Sequence, residues 1–173
     1  SYFPVRMEAY ESIPDSGGAG RFRGGNGMRI GYRFLASGKI SIHDDRWLTY
    51  PWGVKGAEPG RRCKKIIERV DGSREILVNK IDNIKVEPGD YLIFDTWGGG
   101  GLGNPMERDI DRIEYDLESG LITPEGAKRF GVVVRKDGIS IDREATENLR
   151  ENATKSEKTV PLFNFGGSIE EII

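Results

Sequence analysis

The 173-residue chain carries 31% charged residues that nearly cancel, leaving a net charge of −2, and its mean hydropathy is −0.51. This balance describes a globular domain, or a domain with a small appendage, and excludes a polyanion-binding surface, so no nucleic-acid partner is expected. No apolar run approaches the ~20 residues of a membrane-spanning helix, the first ten residues form no signal segment, and a single cysteine fits a reducing compartment, so the expected location is the cytoplasm.

Up to Thr96 the pattern is β. Phe3 to Tyr10 alternates apolar and polar residues, as a half-buried strand does, and Pro14-Asp15-Ser16-Gly17-Gly18 reads as a turn. Met28 to Phe34 alternates again, and Ala36-Ser37-Gly38 turns the chain into Lys39 to His43. Ile66 to Val70 and Glu75 to Val78 flank Asp71-Gly72, a strong hairpin signal. Pro88-Gly89 leads into a strand over Tyr91 to Thr96. Glycine is the compositional outlier: there are 24, about twice the usual ~7%, and most lie at or before Gly103. With strands between them they read as turns and close backbone approaches within ordered β structure.

After Gly103 the period becomes helical. Asn104 is an expected N-cap, Pro105 a first helical residue and Glu107 the partner of a capping box. Met106, Ile110, Ile113 and Leu117 then share one face up to Gly120. Thr123-Pro124-Glu125 starts a short second helix that Gly131 closes. Val132 to Val134 and Ile139 to Ile141 flank Lys136-Asp137-Gly138 as a hairpin, and Asp142 caps a third helix to about Ala153. Thr154 to Lys158 reads as a linker and Val160 to Gly167 as an apolar docking arm. The expected fold is mainly β, an antiparallel sandwich or open barrel, with a C-terminal α+β appendage of short helices. Its expected divisions are 1–103, 104–153 and 154–173.

Three stretches carry possible chemistry. Gly98 to Gly103 fits G-x-G-x-x-G between a strand and a helix, which makes Gly100 and Gly103 candidates for cradling a phosphate. The preceding region looks antiparallel, however, and neither the acidic residue of a dinucleotide fold nor a P-loop lysine follows, so a close-packed structural crossing is the better reading. In Asp15 to Gly25, Arg21 and Arg23 could clamp an anion, or could pair with Asp15 or with acidic groups on another subunit. In His43-Asp44-Asp45-Arg46-Trp47, His43 and Asp45 would share one face of a strand and could make a metal or acid–base pair, with Arg46 beside them. The plainer alternative is a turn with a salt-bridged Arg46 and His43 bonded to a nearby carboxylate. His43 is the only histidine and Cys63 the only cysteine, so no metal ligand is assigned within this chain. Trp47, Tyr50, Trp52 and Trp97 suit core or interface packing.

Taken in order, Ile13 to Gly27, Pro51-Trp52-Gly53 with Pro59-Gly60, and Val86 to Asp90 running on through Asp95 to Asp109 resemble the C-terminal part of the B-type chains of the hydantoinase B/oxoprolinase family. Gly120 to Ala127 and Phe130-Gly131-Val132 extend the resemblance over nearly the whole chain. Asn104 departs from it where an Asp is expected, though either residue can cap the helix. The resemblance implies a subunit or segment of an ATP-dependent amidohydrolase or ketone carboxylase acting on a small amide, lactam or ketone. It further implies that ATP sits on an A-type partner and that a divalent metal is held by the N-terminal portion of the B-type chain, so no cofactor is expected on this one. A hetero-oligomer follows, with the isolated chain inactive. The alternatives are a non-catalytic assembly module of such a complex and a separate ligand-binding β domain.

Overall fold

The computed structural model describes residues 3–78, 80–154 and 161–167; the expected linker beyond Thr154, and Val160 at the head of the expected arm, lie outside them. The strands are, in chain order, β1 (Val5–Ser12), β2 (Met28–Phe34), β3 (Gly38–His43), β4 (Gly53–Val54), β5 (Lys64–Glu68), β6 (Arg74–Ile76), β7 (Lys80–Val86), β8 (Tyr91–Asp95) and β9 (Phe163–Asn164). The helices are α1 (Ile110–Glu118), α2 (Pro124–Ala127) and α3 (Arg143–Thr154). Five strands form a sheet in the order β1-β2-β8-β5-β6, while β3 pairs with β7 and β4 with β9. Every named pairing is antiparallel.

The small β3–β7 sheet covers one face of the large one. Phe34, Ile67, Leu77, Ile84, Val86 and Leu92 are buried between them, with Tyr32, Ile40, Ile42 and Ile81 packed against that core. This is the expected antiparallel sandwich. The turn after β2 does not make β3 its neighbour: β2 already lies between β1 and β8, so the chain leaves the sheet and β3 finds its partner in β7, with Gly38 opposite Val86. Inside β2, Gly31 leaves room for the Tyr91 ring to cross over it: a Cβ there would stand 1.9 Å from the Tyr91 hydroxyl and would displace that side chain.

The second core is helical. Ile113, Leu117, Ile122, Ala127, Phe130, Val132 and Ile141 bury one another together with Ala19, which reaches in from the glycine-rich loop. The helix expected to run from Asn104 is broken. Pro105–Glu107 forms a single 3-10 turn, capped by the Asn104 side chain accepting from the Met106 amide at 3.0 Å. Arg108 then turns extended, and Asp109 caps α1 by accepting from the Asp111 amide. Turning out of the helix at Arg108 lets its guanidinium point inward, where it is buried against Asp116 at 2.7 Å. Asp142 caps α3 as expected, accepting from the Ala145 amide at 3.1 Å.

Two further carboxylates pin the β layer. Asp95 receives two hydrogen bonds from Arg29, at 2.7 and 2.8 Å, and one from Arg61 at 3.1 Å. Burial alone would raise its carboxyl pKa, but the two arginines outweigh burial and hold it below the usual carboxylate range. Asp90 is held down likewise, against its burial, by the Glu87 and Val70 amides and Arg69. Because both folded values lie below the unfolded ~3.9, their stabilisation is complete above that value and disappears as pH falls through the depressed folded values. The urea midpoint is therefore expected to be flat from pH 7 to about 5 and to drop below about 4, with a shallower drop in Asp95→Asn.

Candidate functional site

The glycine-rich stretches meet in one place. Gly18 donates to the Gly99 carbonyl at 2.9 Å, Gly99 to Gly25 at 2.8 Å, Gly24 to Gly18 at 2.9 Å and Gly101 to Glu58 at 3.0 Å. Leu102 and Phe22 exchange hydrogen bonds at 2.9 and 3.0 Å, and Gly103 donates to Val54 at 2.9 Å. Three backbones thus cross without side chains between them. A Cβ at Gly24 would lie 1.9 Å from the Gly99 oxygen, one at Gly98 1.9 Å from that of Ser16, and one at Gly100 1.8 Å from that of Trp52.

This crossing settles what the Gly98 to Gly103 turn can offer a phosphate. The amides of Gly98, Gly99, Gly101, Leu102 and Gly103 already donate to protein carbonyls, whereas a phosphate cradle needs amides that point outward without partners. Of the two candidate glycines, Gly103 therefore has its amide committed within the protein and turned away from any phosphate. Among the described residues, no three or more His, Cys, Asp or Glu side chains gather as a metal site requires.

Arg21 and Arg23 leave this crossing in different directions. Arg23 grips Asp116 of α1 through two bonds of 2.9 and 3.1 Å, and Arg108 joins them, so one buried carboxylate is shared by two guanidiniums. Asp15 is engaged elsewhere: it accepts from the Thr123 amide and hydroxyl at 3.0 and 2.6 Å and faces Arg129 at 3.7 Å. Arg21 stays exposed with its guanidinium over the Phe22 ring. It lines an open cavity of about 630 Å³ with Lys55, Leu102, Gly103, Asn104, Glu107 and Leu162. Arg21 and Gly103 are thus brought to one cavity, whereas Arg23 is bound to α1. Lys55 is not legible as a site residue in the sequence; its only signal is the Lys55-Gly56 pair, whose positive φ values of 54° and 87° make a tight turn.

The His43 to Trp47 stretch is dispersed. His43 closes β3 and its Nε2 lies 2.9 Å from Asp82 of β7, both side chains exposed. This pair holds the Asp82 carboxyl below its usual range, through the His43 and then the Ser41 hydrogen bonds. Asp45 lies beyond the strand, where its carbonyl accepts from the Cys63 thiol at 3.2 Å. Arg46 adopts φ 59° and lays its guanidinium 4.8 Å from the Trp52 ring centre, a cation–π contact where a salt bridge was the alternative expected. Asp44 turns inward to pair with Lys65, whose side chain is wholly buried; its second oxygen has no hydrogen-bond partner. Cys63 is buried beside this pair, and burial, followed by the neighbouring Asp44 carboxylate, pushes the thiol up to about 12. Thiolate is the reacting form, so native Cys63 is expected to resist a disulfide reagent at pH 8 and to react fully in urea, as absorbance of the released thiolate would show.

Residues 1–105 match the family model described as hydantoinase B/oxoprolinase. The chain is 32% identical to the B-type polypeptide of a putative D-/L-hydantoinase from a Pseudomonas species, over 87% of its own length and 26% of the relative's. It superposes on the crystal structure of an ATP-dependent caprolactamase from Pseudomonas jessenii with a TM-score of 0.72 at 29% identity, covering 86% of this chain and 26% of that one. Acetone carboxylase in its nucleotide-free form shares the fold, with a TM-score of 0.67 at 18% identity, over 91% of this chain and 26% of that chain. The chain thus spans about a quarter of the length of these relatives. Among the described residues no helix is long and apolar enough to cross a membrane. The glycine crossing, the sandwich it closes and the matched residues agree: this chain belongs to the hydantoinase B/oxoprolinase family.

Proposed function

We propose that the chain is a subunit or C-terminal segment of a cytoplasmic ATP-dependent enzyme that hydrolyses a small lactam or hydantoin amide, or carboxylates a ketone. In that enzyme it supplies scaffold, one wall of the site and subunit contacts. The observation that carries this reading is the backbone crossing of Gly17 to Gly25 with Gly98 to Gly103, which falls within the family-matched residues and presents Arg21 and Lys55 at one cavity. ATP then binds an A-type partner, and the metal belongs to the remainder of the B-type polypeptide.

Two measurements test it. Titration calorimetry of the chain with ATP is expected to give no heat of binding; micromolar affinity would overturn the assignment of the nucleotide to a partner. In the reconstituted complex, His43→Ala and Asp45→Ala are each expected to lower turnover at least tenfold with assembly intact. Full turnover in both would instead favour an assembly module, a reading supported by the His43–Asp82 pair lying exposed on the small sheet.

A further inference from the structure

One face of the molecule carries an apolar strip that none of its own described elements covers. Phe22 and Leu102 are bridged through their backbones, and Leu102 is bridged in turn to Val54. Val54 pairs with Phe163 across β4 and β9, and the Lys55 amide donates to Leu162. Phe165 then stacks on Phe163 at 6.0 Å and meets the Trp52 ring edge-on at 6.1 Å. The side chains of Phe22, Trp52, Leu102, Leu162, Phe163 and Phe165 are each 42–65% exposed. The expected docking arm therefore docks through its backbone, the Asn164 side chain and the Phe165–Trp52 edge contact, and leaves much of its aromatic surface exposed. Scattered exposed apolar residues need no cause, but a contiguous run of aromatics marks a contact surface.

The rim of the strip is cationic. Arg21 stands at the Phe22 end, Lys55 at the centre, and Arg46 over Trp52 at the other; no ion pair is formed by these three among the described residues. Glu107 is the acid at the cavity edge. A surface apolar in the middle and positive at the rim is complementary to one that is apolar in the middle and acidic at its rim. About three quarters of the relatives' length has no counterpart in this chain, so a large protein surface remains to be accommodated.

We infer that this strip is the docking surface for the remainder of the B-type polypeptide, which meets it with an apolar centre and carboxylates placed against Arg21, Lys55 and Arg46. The inference rests on the proposed function and names the contact within it. Phe163, paired with Val54 beside Lys55 at the centre of the strip, is the anchor, since large aromatics at the middle of an interface carry most of its energy.

Hydroxyl-radical footprinting of the intact complex containing this chain tests it, with mass spectrometry reading oxidation at each residue. Oxidation of Trp52, Phe163 and Phe165 is expected to be at least tenfold slower in the complex than in the same sample unfolded in urea. Oxidation of the strip at nearly the unfolded rate would overturn the inference even though the complex forms. Arg21→Glu combined with Lys55→Glu is expected to weaken association at least tenfold, and Ile76→Glu, on the exposed β6 edge, to leave it unchanged; equal effects of the two would also overturn it. Protection that arises in a homodimer of this chain, with no other family polypeptide present, would show a different occupant and refute the proposal. A native sample lacking any further B-type sequence and any A-type subunit would instead refute the proposed function itself.

Discussion

Gly24→Ala is expected to leave the chain unfolded, or destabilised by more than about 3 kcal/mol, where Gly25→Ala is neutral or mildly stabilising. The new methyl at position 24 would sit 1.9 Å from the Gly99 oxygen and 2.4 Å from its carbonyl carbon. No rotamer relieves such a clash, because both partners are backbone. The Gly99 peptide cannot retreat either, since its carbonyl accepts from Gly18 and its amide donates to Gly25. Moving it would break two backbone hydrogen bonds, of which the one from the buried Gly18 costs about 1–3 kcal/mol when a partner is left unsatisfied. Against a total stability of about 5–15 kcal/mol this is a large fraction. Next in sequence, a Cβ on Gly25 meets nothing within 4 Å, and alanine there chiefly restricts the unfolded chain, a gain of about 0.4–1 kcal/mol. Urea titrations followed by tryptophan fluorescence check the contrast. Equal midpoints for the two variants would mean that the crossing is not the structural centre described above.

The contrast shows why the glycines are legible as architecture from the sequence alone. Their clustering, with strands between them and no acidic or lysine partner, points to backbone approaches and away from a nucleotide. Which glycines touch which backbone is not legible, because a glycine carries no side-chain pattern to reveal its partner. β2 stands out in the sequence by its alternation and β8 as a short apolar run behind the Pro88-Gly89 turn, and so does the hairpin of β5 and β6 around Asp71-Gly72. β7 does not: Lys80-Ile81-Asp82-Asn83-Ile84-Lys85-Val86 alternates only in part, and Asn83 interrupts it with a φ of 60°, matching the register shift opposite Ile40 and Ile42. With β7 hidden, β3 has no visible partner, and His43 cannot be matched to Asp82.

The site is legible only as residue types. Arg21 and Arg23 alternate along one loop, and nothing in the sequence distinguishes the one that binds α1 from the one that stays exposed. The distinction comes from Asp116, nearly a hundred residues away, on a helix whose register changes where Arg108 turns out of it. Likewise, Asp44 looks no different from its neighbours, although it is the member of the His43 to Trp47 stretch that enters the interior, because its partner Lys65 lies in a strand that reads as half-polar.

Asp116→Ala is the second variant expected to have a large effect, a loss of about 3–5 kcal/mol, because it strands a buried charge. The Asp116 carboxylate is the acceptor for Arg108 and for both ends of the Arg23 fork. Arg108 is only 7% exposed, and its Nε has no hydrogen-bond partner even in the intact protein. Without Asp116 it would keep only the Arg21 carbonyl, at 3.3 Å. Arg23 would fare better, retaining the Gly24 carbonyl at 2.8 Å. The cost should therefore fall mainly on Arg108, which a double-mutant cycle can establish. Asp116→Leu alone is expected to be severe, whereas Asp116→Leu with Arg108→Met should recover most of the lost stability, since a buried ion pair replaced by apolar side chains of similar volume is often close to neutral. The cycle with Arg23→Met should show a smaller recovery. If instead the Arg23 cycle recovered more, the principal role of Asp116 would be to clamp α1 to the glycine crossing, with Arg108 an accessory. α1 would then be the first element to detach on unfolding, as earlier amide exchange at Ile113 and Leu117 than at Ile67 would show.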